Sequence, residues 1–178
     1  MHYETNKRTR GVYDYLLVFI SFTIVLISFL KFGFTLLFIK AMFLDCILIV
    51  ASLQDFKYRI IPDNLVIITA VVGIIFTFIC RTSLVGALIG MFVGGGTLFL
   101  LALVPNAIGG GDIKWMFALG SFLETQKVFE ALFLAFILAA LISGLLLIFK
   151  IKGRKDYIPF GPFLAIGCFL SFHTILLL

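Results

Sequence analysis

Apolar positions in this chain come in long unbroken runs, separated by short stretches that hold most of the polar residues. The runs fall at 13–30, 32–53, 65–80, 84–104, 113–123, 128–149 and 158–178. A helix needs roughly 20 apolar residues to cross a hydrocarbon core, so six of the runs are near spanning length and the fifth is short. The first run follows Lys7, Arg8 and Arg10, as a secretory signal would, but no small-x-small site follows it. An uncleaved anchor is the expectation. The runs occupy most of the sequence. Residues 1–178 are therefore expected to form a single integral-membrane domain, all-α and polytopic, with about seven transmembrane segments.

Composition agrees. Of 178 residues, 62% are hydrophobic and 13% charged, with a mean hydropathy of +1.21. Too little polar surface is available to cover one water-facing globule. A soluble enzyme, a disordered chain, a fibrous repeat and a nucleic-acid-binding domain are set aside. The net charge of +5 then reflects Lys and Arg kept in cytoplasmic loops, and the expected partner is the lipid bilayer, not nucleic acid. Cys46, Cys80 and Cys168 are far apart and lie in or beside apolar runs. They show neither zinc spacing nor a disulfide framework, and are expected as packing residues.

The short fifth run decides the topology. If it crosses, Lys7, Arg8, Arg10, Lys57, Arg59, Lys114, Lys150, Lys152, Arg154 and Lys155 share one side, leaving Lys31, Arg81 and Lys127 on the other. If it does not, the 150–155 cluster moves outside, against the positive-inside bias. Seven crossings with a cytoplasmic N-terminus are expected. An apolar run this short covers only about 17 Å, so it must be sunk in protein, extended by the glycines before it, or placed where the bilayer is thin.

Charges inside a membrane protein mark function. Of nine carboxylates, Glu4, Asp14, Glu124, Glu130 and Asp156 lie near span ends or in loops. Asp55 ends the second span and Asp112 opens the fifth, so the topology brings both to one depth at the cytoplasmic side. Two carboxyls at one site can share a proton, one staying acid while the other activates water. Two independent interfacial aspartates would show the same positions. Gly109, Gly110 and Gly111 immediately before Asp112 tilt the balance. Glycine permits unusual backbone angles and close approach, giving the clearance an extended peptide would need beside a carboxylate. A flexible connection would also use glycines.

The remaining polar residues have plainer roles. Lys114 either tunes Asp112 and positions substrate, or anchors the span end. Asp63 and Asn64, after Pro62, are expected to cap the third span. Asp45 lies about 15 Å deeper than Asp55 in a regular helix; it needs a partner, for which Lys40 is a candidate, and could line a substrate groove. His2 and His173 are expected to be chemically idle. Trp115 and the tyrosines fit interfacial belts, and the 22 phenylalanines face lipid or fill the interior. Lys7-Arg8-Thr9-Arg10-Gly11 is read as an ordinary basic flank.

With these motifs in order, the sequence resembles the type IV prepilin peptidase family, the GxGD-type membrane aspartic proteases. Asp55 is followed by Ile61-Pro62-Asp63, Gly109-Gly110-Gly111-Asp112-Ile113-Lys114 matches GxGD with its following Lys, and Ile158-Pro159-Phe160-Gly161-Pro162 resembles a third motif. The likeness covers about residues 42–170. It implies that Asp55 and Asp112 are the catalytic pair, supported by Pro62, Gly109, Gly111, Lys114, Gly161 and Pro162, with no metal and no cofactor. It also implies cleavage, at the cytoplasmic face of the cell membrane, of prepilin-like precursors whose short basic leader ends in Gly ahead of an apolar helix. Many bacterial relatives carry paired Cys-x-x-Cys motifs and methylate the trimmed pilin. This chain has no such pair, so peptidase activity alone is expected. Two other readings are a GxGD protease acting on other helices and a small ion-coupled carrier relaying protons through Asp45, Asp55 and Asp112. A carrier favours internal repeats, and the sequence shows no convincing one.

Overall fold

Long apolar stretches form helices because a helix satisfies its own N–H and C=O groups where water cannot reach. The structure, a computed structural model, describes residues 18–104, 108–150 and 158–173. These form six helices: α1 Val18–Phe32, α2 Leu36–Tyr58, α3 Asp63–Ile79, α4 Leu84–Ala102, α5 Gly110–Ile148 and α6 Gly161–His173. Three of them, α2, α4 and α5, are long and apolar enough to cross a membrane, and the other three are shorter apolar helices. The basic stretch at 7–10, His2 and the cluster at 152–155 lie outside the described residues.

The chain divides into two units, Met1–Met42 and Phe43–Leu178. In the first, α1 is joined to the start of α2 through Gly33, whose φ of 55° is in the left-handed region that favours glycine. Phe29, Phe34 and Phe38 meet edge to face around this turn, with ring centroids 5.0–6.5 Å apart.

The second unit is built on α5, against which α3, α4 and α6 pack. The 39 residues of α5 are two helical limbs, separated at Glu124 by φ 63° and ψ 173°. A Cβ on Gly94 of α4 would lie 3.0 Å from the Met116 carbonyl, before the break, and 3.3 Å from Val128, after it. Both limbs of α5 thus lie against one turn of α4, so the chain folds back at Glu124. With α5 counted as two limbs, the described residues hold seven apolar helical stretches, as the run pattern predicts. The fifth run solves its shortness as expected: the helix starts early, at Gly110, and Trp115, Met116, Ala118, Leu119, Phe122 and Leu123 are all buried in protein.

Small residues set the helix spacing. A Cβ on Gly120 would lie 2.4 Å from the Gly90 backbone, so α4 and α5 touch backbone to backbone, the usual device for tight association in lipid. Gly167 of α6 does the same against the second limb, 2.4 Å from the Ala131 carbonyl. Ser171 Oγ donates to the Lys127 carbonyl at 2.6 Å, and the rings of Phe160 and Phe136 are 5.4 Å apart. These contacts make α6 antiparallel to that limb. Trp115 corrects its sequence reading: it is fully buried, one turn from Asp112 on the inner face of α5, and not at an interface.

Candidate active site

The last turn of α2 carries Asp55. The helix stops four residues later at Arg59, whose N–H donates to the Asp55 carbonyl at 2.8 Å and whose φ of 56° turns the chain through the left-handed region. For a non-glycine residue that conformation costs about 1–2 kcal/mol. It brings Ile60, Ile61 and Pro62 back across the end of α2. Pro62 precedes the first residue of α3 with φ −63° and ψ 138°, angles that proline adopts without strain. Far along the chain, Gly109 precedes α5 and puts Asp112 in its first turn.

These segments enclose a cavity of ≈ 370 Å³ lined by Asp55, Arg59, Ile61, Pro62, Asp63, Gly109, Gly110, Gly111, Asp112 and Lys114, among others. Asp55 is 3% and Asp112 4% exposed. Two buried carboxyls from different helices thus share one space. Asp55 Oδ2 accepts the N–H of Gly161 at 2.8 Å, so a residue of α2 caps the N-terminus of α6, where a carboxylate meets the positive end of the helix dipole. Asp112 is held differently. Its Oδ1 is buried without a hydrogen-bond partner among the described residues. Buried polar atoms are rarely left so, and an exception calls for a functional explanation.

The glycines divide by role. At Gly161, a Cβ would lie 2.6 Å from Asp55 Oδ2 and 2.9 Å from its Cβ and Cγ, so this position must be glycine. The run before Asp112 is unlike it. A Cβ on Gly110 would meet nothing within 4 Å, and one on Gly111 only ordinary contacts of 3.6 Å with Ile61. None of Gly109, Gly110 and Gly111 has a positive φ. Backbone freedom is therefore not their purpose, contrary to one sequence argument; the open cavity beside them fits the other, clearance. Pro162, the second residue of α6, is half-buried, fits the first turn of a helix, and does not line the cavity.

Lys114, on the edge of the cavity, binds Asp63 at 2.9 Å, with both side chains largely exposed. Asp63 is therefore no N-cap; it is the first residue of α3, and Pro62 holds the cap position. No group of three His, Cys, Asp or Glu side chains suited to a metal ion occurs among the described residues. Sequence reasoning missed one lining residue and one buried contact. Arg59 lines the cavity, and only the broken helix pattern before Pro62 hints at its turn. His173 is buried, with Nδ1 donating to the Phe169 carbonyl at 3.0 Å and Nε2 lying 3.5 Å from Asp45 Oδ2. This buried contact lies outside the dyad cavity and has no signal in the sequence pattern.

Comparison with known proteins decides the relationship. The profile of the type IV leader peptidase family matches residues 42–144, a stretch holding both aspartates and the glycine run. The chain belongs to that family. It is similar to the leader peptidase HopD of Escherichia coli, 31% identical over 134 residues that cover 70% of this chain and 86% of the relative. It is also similar to two proteins named prepilin leader peptidase/N-methyltransferase. That of Xanthomonas campestris is 27% identical, covering 80% of this chain and 52% of the relative. That of Pectobacterium carotovorum is 33% identical, covering 71% and 48%. The chain spans about half the length of these two relatives. No solved structure matches.

Proposed function

We propose that this membrane protein is a prepilin-type leader peptidase, an aspartic endopeptidase that removes a short basic leader after Gly from prepilin-like or pseudopilin precursors. The observation that carries this reading is the buried pairing of Asp55 and Asp112 on one cavity lined by Gly109 to Gly111, where a Cβ on Gly110 would meet nothing. The match to leader peptidases supports it.

In the mechanism we propose, the two carboxyls hold one proton between them, because two buried like charges side by side are costly. One carboxylate takes a proton from water as the water attacks the scissile carbonyl carbon. The other donates to the carbonyl oxygen. The tetrahedral intermediate collapses when a proton passes to the leaving amine, and the dyad returns to its starting state. The Gly161 N–H fixes the rotamer of Asp55, leaving its other oxygen for the reaction. Pro62 and Arg59 shape the floor, and Gly109 to Gly111 give the substrate backbone room to lie extended. Neither metal nor cofactor enters these steps.

Lys57, Arg59 and Lys114 gather at the dyad end of the second unit, against Arg81 and Lys127 at the opposite end. By the positive-inside bias this makes the dyad end cytoplasmic and the host the cytoplasmic membrane. Residues 1–178 then act as one peptidase domain. The proposal covers peptide cleavage and not methyl transfer. The test is to incubate membranes bearing the protein with a prepilin-like precursor, alongside Asp55→Asn and Asp112→Asn. Cut product with the wild type and none with either variant is the expected result. Cleavage persisting in both variants would remove the dyad, and no cleavage of any such precursor by the wild type would return the carrier reading.

A further inference from the structure

Beside the dyad cavity lies a second, larger space. It measures ≈ 580 Å³ and is lined by Asp63, Val66 and Ile67 of α3, Phe92, Gly95, Gly96 and Phe99 of α4, and Ile113, Lys114 and Phe117 of α5. It exists because α3 and α4 each pack on α5 but scarcely touch one another. Its two polar lining residues, Asp63 and Lys114, also line the dyad cavity. Both spaces therefore border that ion pair. Beyond it the walls are wholly apolar, and Phe92, Ile67 and Phe99 at the rim are 70%, 59% and 57% exposed.

The floor is informative. In the run Gly94-Gly95-Gly96, two glycines serve the protein's own packing: a Cβ on Gly94 would lie 3.0 Å from the Met116 carbonyl, and one on Gly95 2.8 Å from Phe117 Cβ. At Gly96 a Cβ would meet nothing within 4 Å. A glycine inside a helix costs about 1 kcal/mol relative to alanine, and here nothing among the described residues makes use of it. Phe92, Gly96 and Phe99 are spaced i, i+4, i+7, so they form one stripe about two turns long, with the gap between two rings. That is the shape into which another helix sets one row of side chains.

We infer that this groove seats the apolar helix that follows the scissile bond of the precursor. The inference rests on the leader-peptidase reading and names the part of the substrate that reading leaves unplaced. A chain cut in the dyad cavity continues past Lys114 and Asp63, and the space it enters is apolar, open sideways to lipid, and within about two helical turns of Asp112 along α5. An apolar helix can slide in from the bilayer without leaving it. A polar or charged segment would find no partner there beyond the Lys114–Asp63 pair. The dyad then supplies the chemistry and the groove sets which bond reaches it.

The experiment uses purified full-length protein in micelles and a precursor carrying leader, cut site and apolar helix. Gly96→Phe sends a side chain into the groove from the floor, at a position where a Cβ meets nothing within 4 Å. It is expected to raise KM about tenfold while kcat stays within about twofold, because the lost contacts bind substrate equally before and during the reaction. In parallel, a photocrosslinking residue replaces Phe92 in the Asp112→Asn background, which holds substrate uncut. Illumination is expected to yield an adduct of enzyme and precursor. If the variant fails to fold, the crosslink alone decides. An unchanged KM, or crosslinks only to lipid or to a second copy of the enzyme, would overturn the inference while leaving leader cleavage intact. If the wild type cuts no precursor at all, the leader-peptidase reading falls first and the groove's occupant with it.

Discussion

Unit Phe43–Leu178 buries carboxylates at two levels, ten residues apart along α2. Asp55 and Asp112 share a cavity, whereas Asp45, also 3% exposed, lies against His173 and lines neither cavity described above. The difference lies in what the carboxyl faces. Asp45 meets a base able to share its proton, with that base's other nitrogen tied to the Phe169 carbonyl. Such a closed arrangement joins α2 to α6. At the dyad an acid faces an acid, and the space beside the pair stays open. A buried charge matched within the protein is architecture; one left for something outside is chemistry.

The largest expected effect separates the two levels by activity. Asp112→Asn keeps the shape of a side chain that makes little use of its Oδ1 in the fold, yet removes an acid–base group. Cleavage is expected to fall by about 10²–10⁴-fold or more, with thermal stability in micelles nearly unchanged. Asp112→Asn that still cuts at the wild-type rate would erase the distinction drawn above.

Gly161→Ala is expected to come next. Its added methyl would lie 2.6 Å from Asp55 Oδ2, so the carboxyl must turn and lose the Gly161 N–H. A displacement of about 1 Å at a reacting group costs about 10²-fold in rate. Gly110→Ala is the control, since a Cβ there meets nothing. Equal rates for the two variants would show that Asp55 needs no such positioning.

His173→Leu reverses the pattern. Asp45 loses its buried partner, so stability is expected to drop by about 1–3 kcal/mol, read as an earlier melting transition. Cleavage at a temperature where the variant is folded should stay within about twofold. A loss of rate as large as that of Asp112→Asn would instead make Asp45 and His173 part of the reaction, as a proton relay would require.

How much of this the sequence discloses depends on whether a signal is local. Run lengths disclose the helices, and the short fifth run already implies burial of the stretch after Asp112, because too few apolar residues remain to face lipid along its whole length. Asp55 and Asp112 stand out since a carboxylate at a span end is costly without a purpose. Asp45 with His173 does not, because the pairing depends on register. Asp55 touches Gly161 across antiparallel helices; counting ten residues back and twelve forward brings Asp45 and His173 to one level, about 15–18 Å away. That count is possible only once the first contact is known. Trp115 misleads for a related reason: its position near a span end suggests an interface, but it faces the bundle interior. The fold-back at Glu124 is marked only by the polar stretch Glu124-Thr125-Gln126-Lys127 between the fifth and sixth runs, as neither glycine nor proline occurs there.

The smallest expected effect tests the join between dyad and groove. Lys114 and Asp63 meet at 2.9 Å with side chains 60% and 68% exposed, and an exposed pair contributes about 0–1 kcal/mol. A double-mutant cycle with Lys114→Met and Asp63→Asn should therefore give a coupling energy in that range, shrinking in high salt as the charges are screened. Neither change removes a group that acts on the scissile bond, so kcat should fall far less than for Gly161→Ala. Because both residues also line the groove, any change in rate is expected in KM. Coupling of several kcal/mol, insensitive to salt, would mean that the pair is shielded in the working protein, and the boundary between site and groove would then be a built wall and not an opening.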